Sequence, residues 1–223
     1  SAANLKAATI LSVPAVAAEI RAASAGGRVD MLLADLSLLA DAARLAREIS
    51  AITPRVDVLL NNAGGMASER VITPEGFEAN FAGNHLGPFL LTSRLLPLLR
   101  AAAASAPAGS VRIIMTASDA SEMIPTLTLD DMQNLGNYSN GLAYCSSKLA
   151  NVLFARALAG RLAGEGIVAH SMHPGTVDSN FFSHVEEAAR ARVRELPKLS
   201  VAEGADTLIW LATAEEPGRS SGL

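Results

Sequence analysis

Tyr144 and Lys148 stand four residues apart in the stretch Gly141-Leu142-Ala143-Tyr144-Cys145-Ser146-Ser147-Lys148. Four residues is about one helical turn, so on a helix the two side chains share a face. A phenol titrates near ~10 and is a poor acid–base group at neutral pH. An ammonium one turn away favours the phenolate, so the spacing predicts a tyrosine whose pKa is lowered towards use as a proton donor and acceptor. The chain has two Tyr and three Lys, so chance rarely supplies such a pair. Cys145, beside the tyrosine, reads as a small helix residue rather than a catalytic thiol.

The elements that must hold this pair can be read in order. Apolar residues at helical spacing predict helices over 13–24, on a stripe of Val16, Ile20 and Ala23, and over 38–50, with Leu39, Ala42, Leu45 and Ile49 inward. Thr73-Pro74-Glu75 reads as the start of a helix running to about Ala103. The Tyr144 helix continues to about Ala163 along Leu149, Val152, Leu153, Ala157 and Leu158, and Gly164 and Gly166 end it. Ser200-Val201-Ala202-Glu203 is a capping box for a last helix through Trp210. Four short apolar runs fit buried parallel strands: 29–33, 56–60, 111–115 and 167–172.

Strands alternating with helices predict an α/β fold, a doubly wound parallel sheet with helices on both faces. Ligands in such folds sit beyond the carboxyl ends of the strands. Asp35, Asn61-Asn62-Ala63-Gly64, Ser118 and Pro174-Gly175-Thr176 collect at those ends.

The 223 residues fit one domain. Half of them are hydrophobic, yet no run reaches the length of a membrane span, and the first residues carry no secretory signal. A net charge of −4 without a basic block argues against nucleic acid as the main partner. The single cysteine excludes a disulfide framework and predicts a reducing, cytoplasmic setting. No metal site is expected.

These residues resemble the short-chain dehydrogenase/reductase family, and within it the retinol-dehydrogenase-like branch. The resemblance runs from about Asn4 to Gly222. Asn61-Asn62-Ala63-Gly64 is similar to the family's NNAG motif, and Tyr144 and Lys148 to its YxxxK. Asn84, within Asn84-His85-Leu86-Gly87, and Ser118 match the other two members of the family's catalytic tetrad, and Pro174-Gly175 matches the motif after the sixth strand. The resemblance implies a Rossmann-type three-layer α/β/α domain. It implies an NAD(P)-dependent oxidoreductase, with NADP favoured over NAD.

In that frame Tyr144 passes the proton, and Lys148 lowers its pKa and holds the nicotinamide ribose. Ser118 bonds the substrate oxygen, and Asn84 positions a water. Asp35 and Leu36 are expected beside the adenine, and Asn61, Ala63 and Gly64 along the adenosine side. Pro174, Gly175, Thr176 and Val177 are expected near the nicotinamide amide. His85 and His173 read as structural, and His170 gets no role.

The family's TGxxxGxG cofactor loop is absent from these residues. Asn4 to Ala8 look like the segment after the second strand. The expectation is therefore a single domain over 1–223 that lacks the first strand and first helix and is shortened at its carboxyl end. Two explanations stand: a segment missing from a complete enzyme, or a shortened relative serving as a binding or interaction module without dinucleotide binding.

Ser118 and Tyr144 are 26 positions apart, and the insert carries Met123, Ile124, Leu127, Leu129 and Met132. With Phe181, Phe182 and Val185 these suggest either an apolar pocket wall or core packing. The expected substrate is an apolar aldehyde, ketone or alcohol. A mobile lid is expected over about Val177 to Leu199. The Ala- and Leu-rich helices at 76–103 and 141–163 suit a homo-oligomer, dimer or tetramer.

Overall fold

The computed structural model describes residues 16–24, 27–181 and 195–223. The chain divides into two compact units, Ser1–Leu33 and Ala34–Leu223, where the sequence suggests one domain. In the first unit, helix α1 spans 16–23 and residues 27–33 are extended. Arg21 ties the two together by donating to the Val29 carbonyl at 3.1 Å. The expected strand at 29–33 is not formed, and Met31 and Leu33 are exposed. Residues 29–33 enter no β-ladder among the described residues. An apolar run becomes a strand only when a neighbour takes its N–H and C=O groups. Asn4 to Ala8 lie outside the described residues.

The second unit holds a parallel sheet of three strands among the described residues: β1 (Val58–Asn61), β2 (Val111–Thr116) and β3 (Ile167–Met172), in that order. Among the described residues its α-helices are α2 (Leu39–Ile52), α3 (Ala79–Phe81), α4 (Gly87–Ala103), α5 (Asn140–Arg161) and α6 (Val201–Thr213). Strand β2 is buried at all six positions because both faces are covered. On one face Val111 and Ile113 pack with Leu99 and Ala102 of α4 and Leu158 of α5. On the other, Ile114 packs with Met172 and with Leu211 of α6. This is the expected three-layer α/β/α arrangement. Helix α2 packs outside β1, with Ala46 against Leu91 and Leu95 of α4.

Strand β1 was expected to be buried, but Val58 and Leu60 are exposed. They point to the face that α6 covers farther along the sheet, while Leu59 packs beneath α4. Helix α3 begins later than Thr73-Pro74-Glu75 suggests. Thr73 to Phe77 form a tight turn closed by the Thr73 N–H to the Phe77 carbonyl at 2.7 Å, with Gly76 at φ +86°. Glu78, not Thr73, caps the helix. The Glu75 carboxylate is used elsewhere: it accepts the Leu39 and Ala40 N–H groups at 2.5 and 2.9 Å and so caps α2 from a distant loop. The capping box at Ser200 and Glu203 forms as expected.

The stripe expected on α5 is partly wrong. Leu153 and Ala157 are exposed, and the buried face is Ala143, Ser146, Ser147, Lys148, Ala150, Asn151, Ala155 and Leu158. Hydrophobicity alone points the wrong way because this helix buries small and polar residues. Among the described residues no helix is long and apolar enough to cross a membrane.

Gly87 opens α4 where the chain at Leu36 crosses it. A Cβ there would stand 2.1 Å from the Leu36 carbonyl oxygen. Alanine in a helix is ordinarily better than glycine by about 1 kcal/mol. Here the backbone collision reverses the sign, and Gly87→Ala is expected to destabilise by about 2 kcal/mol or more. Urea denaturation read by circular dichroism tests this; a variant as stable as wild type would contradict the packing.

Candidate active site

The site is built at the carboxyl ends of β1 and β2 and on the first turns of α5. Strand β2 ends at Thr116, and Ser118 follows as the cap of a short 3-10 turn (Asp119–Met123), accepting the Ala120 N–H at 3.2 Å. Ser139 caps α5 by accepting the Leu142 N–H at 3.1 Å. That start sets Tyr144 on the second turn, with its phenol near the Ser118 side chain, whose hydroxyl donates to Asp119 Oδ1 at 3.0 Å. Lys148, one turn on, is buried, with its ammonium 5.6 Å from the centre of the Tyr144 ring. It donates to the Thr116 main-chain carbonyl at 3.0 Å.

Asn84 arrives from the other side. It lies in a π-helical turn (Ala82–Leu86) between α3 and α4; such turns are often found at functional sites. Its side chain clamps Gly65 in both directions, Oδ1 accepting the Gly65 N–H and Nδ2 donating to the Gly65 carbonyl, each at 2.9 Å. Nδ2 also reaches the Ser147 Oγ at 3.1 Å. Gly64 closes the group: a Cβ there would stand 2.8 Å from Asn84 Oδ1 and 3.3 Å from Lys148 Nζ. The four residues predicted as a tetrad are thus brought together, Ser118 beside Tyr144 and Asn84 bonded to the Lys148 helix through Ser147.

The electrostatics correct one expectation. Burial pushes the Tyr144 phenol up to about 12, against a lowering by the nearby Ser118, and Asp119 adds to the rise. Lys148 does not lower it. The ammonium is itself disfavoured by burial, which brings its pKa down to about 8. Spacing on a helix brings the two groups together, but desolvation decides their protonation.

The remaining predicted residues are placed less uniformly. Asn61 is buried and spends its amide on Thr92 Oγ1 at 2.9 Å and the Met115 sulfur at 3.1 Å, while Ala63 is exposed beyond it. Asp35 accepts the Ser37 N–H and hydroxyl at 3.1 and 2.6 Å and shapes the turn before α2. Leu36 packs its backbone on Gly87.

After β3, Pro174 leads to Gly175 at φ +81°, where a Cβ would meet Leu199 at 2.6 Å. Thr176 accepts the Leu199 N–H at 2.8 Å, and Val177 bridges to Leu199 and packs on Gly204. This loop is therefore pinned to the start of α6. Phe181 stands 5.6 Å from the Tyr144 ring, ring centre to ring centre, as a pocket wall would. Met123 and Leu129 are exposed and are not core. Phe182, Val185 and most of the expected lid lie outside the described residues.

Sequence reasoning did not single out Ser147, Asn151 and Thr116. Ser147 joins Asn84 to the Tyr144 carbonyl, which it reaches at 2.7 Å. Asn151 donates to the Asn84 carbonyl at 3.0 Å and meets His85 Nδ1 at 3.0 Å. Ser147 and Asn151 lie three and seven positions after Tyr144, on its own helical face, and that spacing was the available signal. His85 is structural, buried against Asn151 with its pKa lowered by desolvation. Two surface clefts of about 340 and 300 Å³ lie away from this cluster, one at the amino ends of β2 and β3 around Gly109 and Gly166, the other between α2 and α4.

A parallel sheet with a Ser, a Tyr and a Lys converging at its strand ends defines a Rossmann-type dehydrogenase fold. The sequence profile of the family described as short chain dehydrogenase matches residues 6–190, and the chain belongs to that family. It is 37% identical over 207 residues to human retinol dehydrogenase 12, covering 92% of this chain and 63% of that protein. Against mouse polyprenol dehydrogenase it is 36% identical over 206 residues, covering 90% of this chain and 61% of that one. The chain thus spans about six-tenths of the length of these relatives. Among solved structures, the Pseudomonas aeruginosa RhlG/NADP active-site complex superposes with a TM-score of 0.69 at 28% identity, covering 94% of this chain and 79% of that one.

Holding Lys148 costs stability. Its folded pKa of about 8 lies below the ordinary 10.5, so the charged form is penalised by on the order of 3 kcal/mol. The penalty is complete below pH 8 and fades as pH rises to 10.5, where the unfolded chain also loses its proton. Lys148→Met is therefore expected to raise the melting temperature at pH 6–7, with the gap closing towards pH 10.5. Calorimetry across that range checks it; a variant less stable than wild type at pH 6 would overturn the sign.

Proposed function

We propose that the protein is an NAD(P)-dependent oxidoreductase that interconverts an apolar alcohol and its aldehyde or ketone. The observation that carries this reading is the buried Lys148, bonded to the Thr116 carbonyl at 3.0 Å at the end of β2, one helical turn after Tyr144. Ser118 holds the substrate oxygen. Tyr144, protonated at neutral pH because its pKa is raised, gives that oxygen its proton when a carbonyl is reduced. The Ser118 hydroxyl stabilises the charge that develops on the oxygen. Lys148 stays largely charged at pH 7, and its ammonium, 5.6 Å from the centre of the Tyr144 ring, stabilises the phenolate that the proton transfer leaves. Asn84 fixes the Gly64–Gly65 turn and, through Ser147, the helix that carries Tyr144.

The residues present fit the nicotinamide–ribose end of a dinucleotide. Lys148 and Tyr144 offer an ammonium and a hydroxyl to a ribose, Gly64 leaves backbone room beside them, and Thr176 and Val177 border the same strand ends. When bound, the cofactor supplies the hydride. NADP is favoured over NAD, in line with the cofactor named for RhlG. Asp35 and Leu36 are assigned to the adenine side, and Asn61, Ala63, Gly64, Pro174 and Gly175 to the cofactor's flank.

An apolar substrate is supported by Phe181 against Tyr144 and by the substrates that the retinol and polyprenol dehydrogenases are named for. Exposed Phe89 on α4 and Leu153 on α5 suit pairing with a second copy. The free Cys145 suits a reducing compartment such as the cytoplasm.

The test is nicotinamide absorbance with NADPH and NADH against a panel of apolar carbonyls, run beside Tyr144→Phe. Loss of the phenol is expected to cut kcat by at least about 100-fold with little change in stability. A wild-type rate no better than the variant's across the panel would sink the enzyme reading and leave a binding module.

A further inference from the structure

Glu78 is a carboxylate with no solvent exposure, and no step above uses it. Three donors surround it. Its Oε2 accepts the Phe81 N–H at 2.8 Å, and its Oε1 accepts the Asn80 side-chain amide at 2.9 Å and the Tyr138 hydroxyl at 3.1 Å. Its own N–H donates to Gln133 Oε1 at 2.7 Å. Asn80 in turn accepts the Ala67 N–H at 2.7 Å, which ties in the loop after β1. Arg70 lies over the Tyr138 ring, 5.7 Å from its centre.

A buried carboxylate is costly unless donors meet it. Capping α3 does not need one, since a short hydroxyl or amide at the cap serves. What Glu78 adds is a bridge between two helix starts. It stands six residues before Asn84, and Tyr138 stands six residues before Tyr144. Tyr138 directly precedes Ser139, the cap of α5. One charge-assisted hydrogen bond therefore joins the segment that delivers Asn84 to the segment that delivers Tyr144 and Lys148. Burial and the Glu78 charge hold the Tyr138 phenol up to about 12, so it remains a donor throughout the working range.

We propose that Glu78 and Tyr138 are positioning residues: their hydrogen bond sets the spacing between the Asn84 turn and the Tyr144 helix, and so the register of the proton-transfer site. This inference rests on the oxidoreductase reading for its kinetic arm, but its structural arm is independent. The network also pins the insert between Ser118 and Tyr144, Gln133 to the Glu78 N–H and Tyr138 to its carboxylate, so the same residue fixes that insert beside the site.

The experiment uses the full protein with Tyr138→Phe, Glu78→Gln and the double variant. Hydrogen exchange without cofactor reads the Gly65 amide, which Asn84 holds, against the Gly109 amide, which is bonded to Gly166 at the far end of the sheet. Each single variant is expected to speed Gly65 exchange roughly tenfold and leave Gly109 unchanged, as loss of one such bond allows.

With NADPH and a carbonyl that the wild type turns over, each is expected to lower kcat about tenfold at unchanged cofactor KM, and the double variant no further. Lower melting temperature with wild-type kcat and wild-type Gly65 protection would make the bond merely structural and overturn the proposal. If the wild type shows no turnover, the oxidoreductase reading fails, and the Gly65 result alone decides this one: unchanged protection refutes it and selective loss supports it.

Discussion

The structure around the site depends on one constraint: a charged lysine must be carried under the end of a sheet and kept there. Lys148 reaches the Thr116 carbonyl at the last residue of β2, inside a face that is otherwise mostly Ala, Ser and Asn. A larger apolar face on α5 would pack better and leave no room. The small residues let α5 lie close to the sheet, and the polar ones give the neighbouring turns something to bond. Ser147 and Asn151 then become the anchors of Asn84, so the tetrad is held by the same face that buries the lysine.

The glycines follow from that close approach rather than from flexibility. Gly64 has no space for a side chain between Asn84 and Lys148, and Gly87 has none against the Leu36 carbonyl. Both sit where a backbone crosses a helix beside the site. Gly175 differs: its positive φ turns the chain after β3 towards Leu199 and so fixes the loop that carries Thr176 and Val177. Packing at these points and hydrogen bonds at the caps together leave the strand ends little freedom. A rigid frame of that kind is what electrostatic preorganisation requires.

Much of this was legible in the sequence. The order of most elements and the strand ends followed from periodicity, and the Tyr144–Lys148 pair from its spacing, because these are local signals; Asn84 and Ser118 entered through the family resemblance. What failed was decided by partners. Among the described residues the run at 29–33 forms no strand, and Val58 and Leu60 lie on the face of the sheet beyond the reach of α6. Thr73 closed a turn instead of starting a helix, while Glu75 capped a helix far away in sequence. Leu153 looked inward by hydrophobicity and is exposed, because the buried face of α5 is set by the needs of Lys148 and Asn84. The lowered tyrosine pKa failed for the same reason, since spacing is visible in a sequence and desolvation is not.

That last correction sharpens the chemistry. A phenolate stabilised by a nearby ammonium would make Tyr144 a base waiting for a substrate proton. A phenol raised to about 12 beside an ammonium lowered to about 8 is a different device. At neutral pH the phenol is held in its acid form, and the lysine is close to giving up its own proton. On the proposed oxidoreductase reading, the phenol is the group that gives its proton to a substrate oxygen, and the ammonium faces the charge left behind. Burial works on the two groups in opposite directions because it disfavours whichever form carries charge. The same desolvation that costs the fold its stability at Lys148 is what separates the two roles.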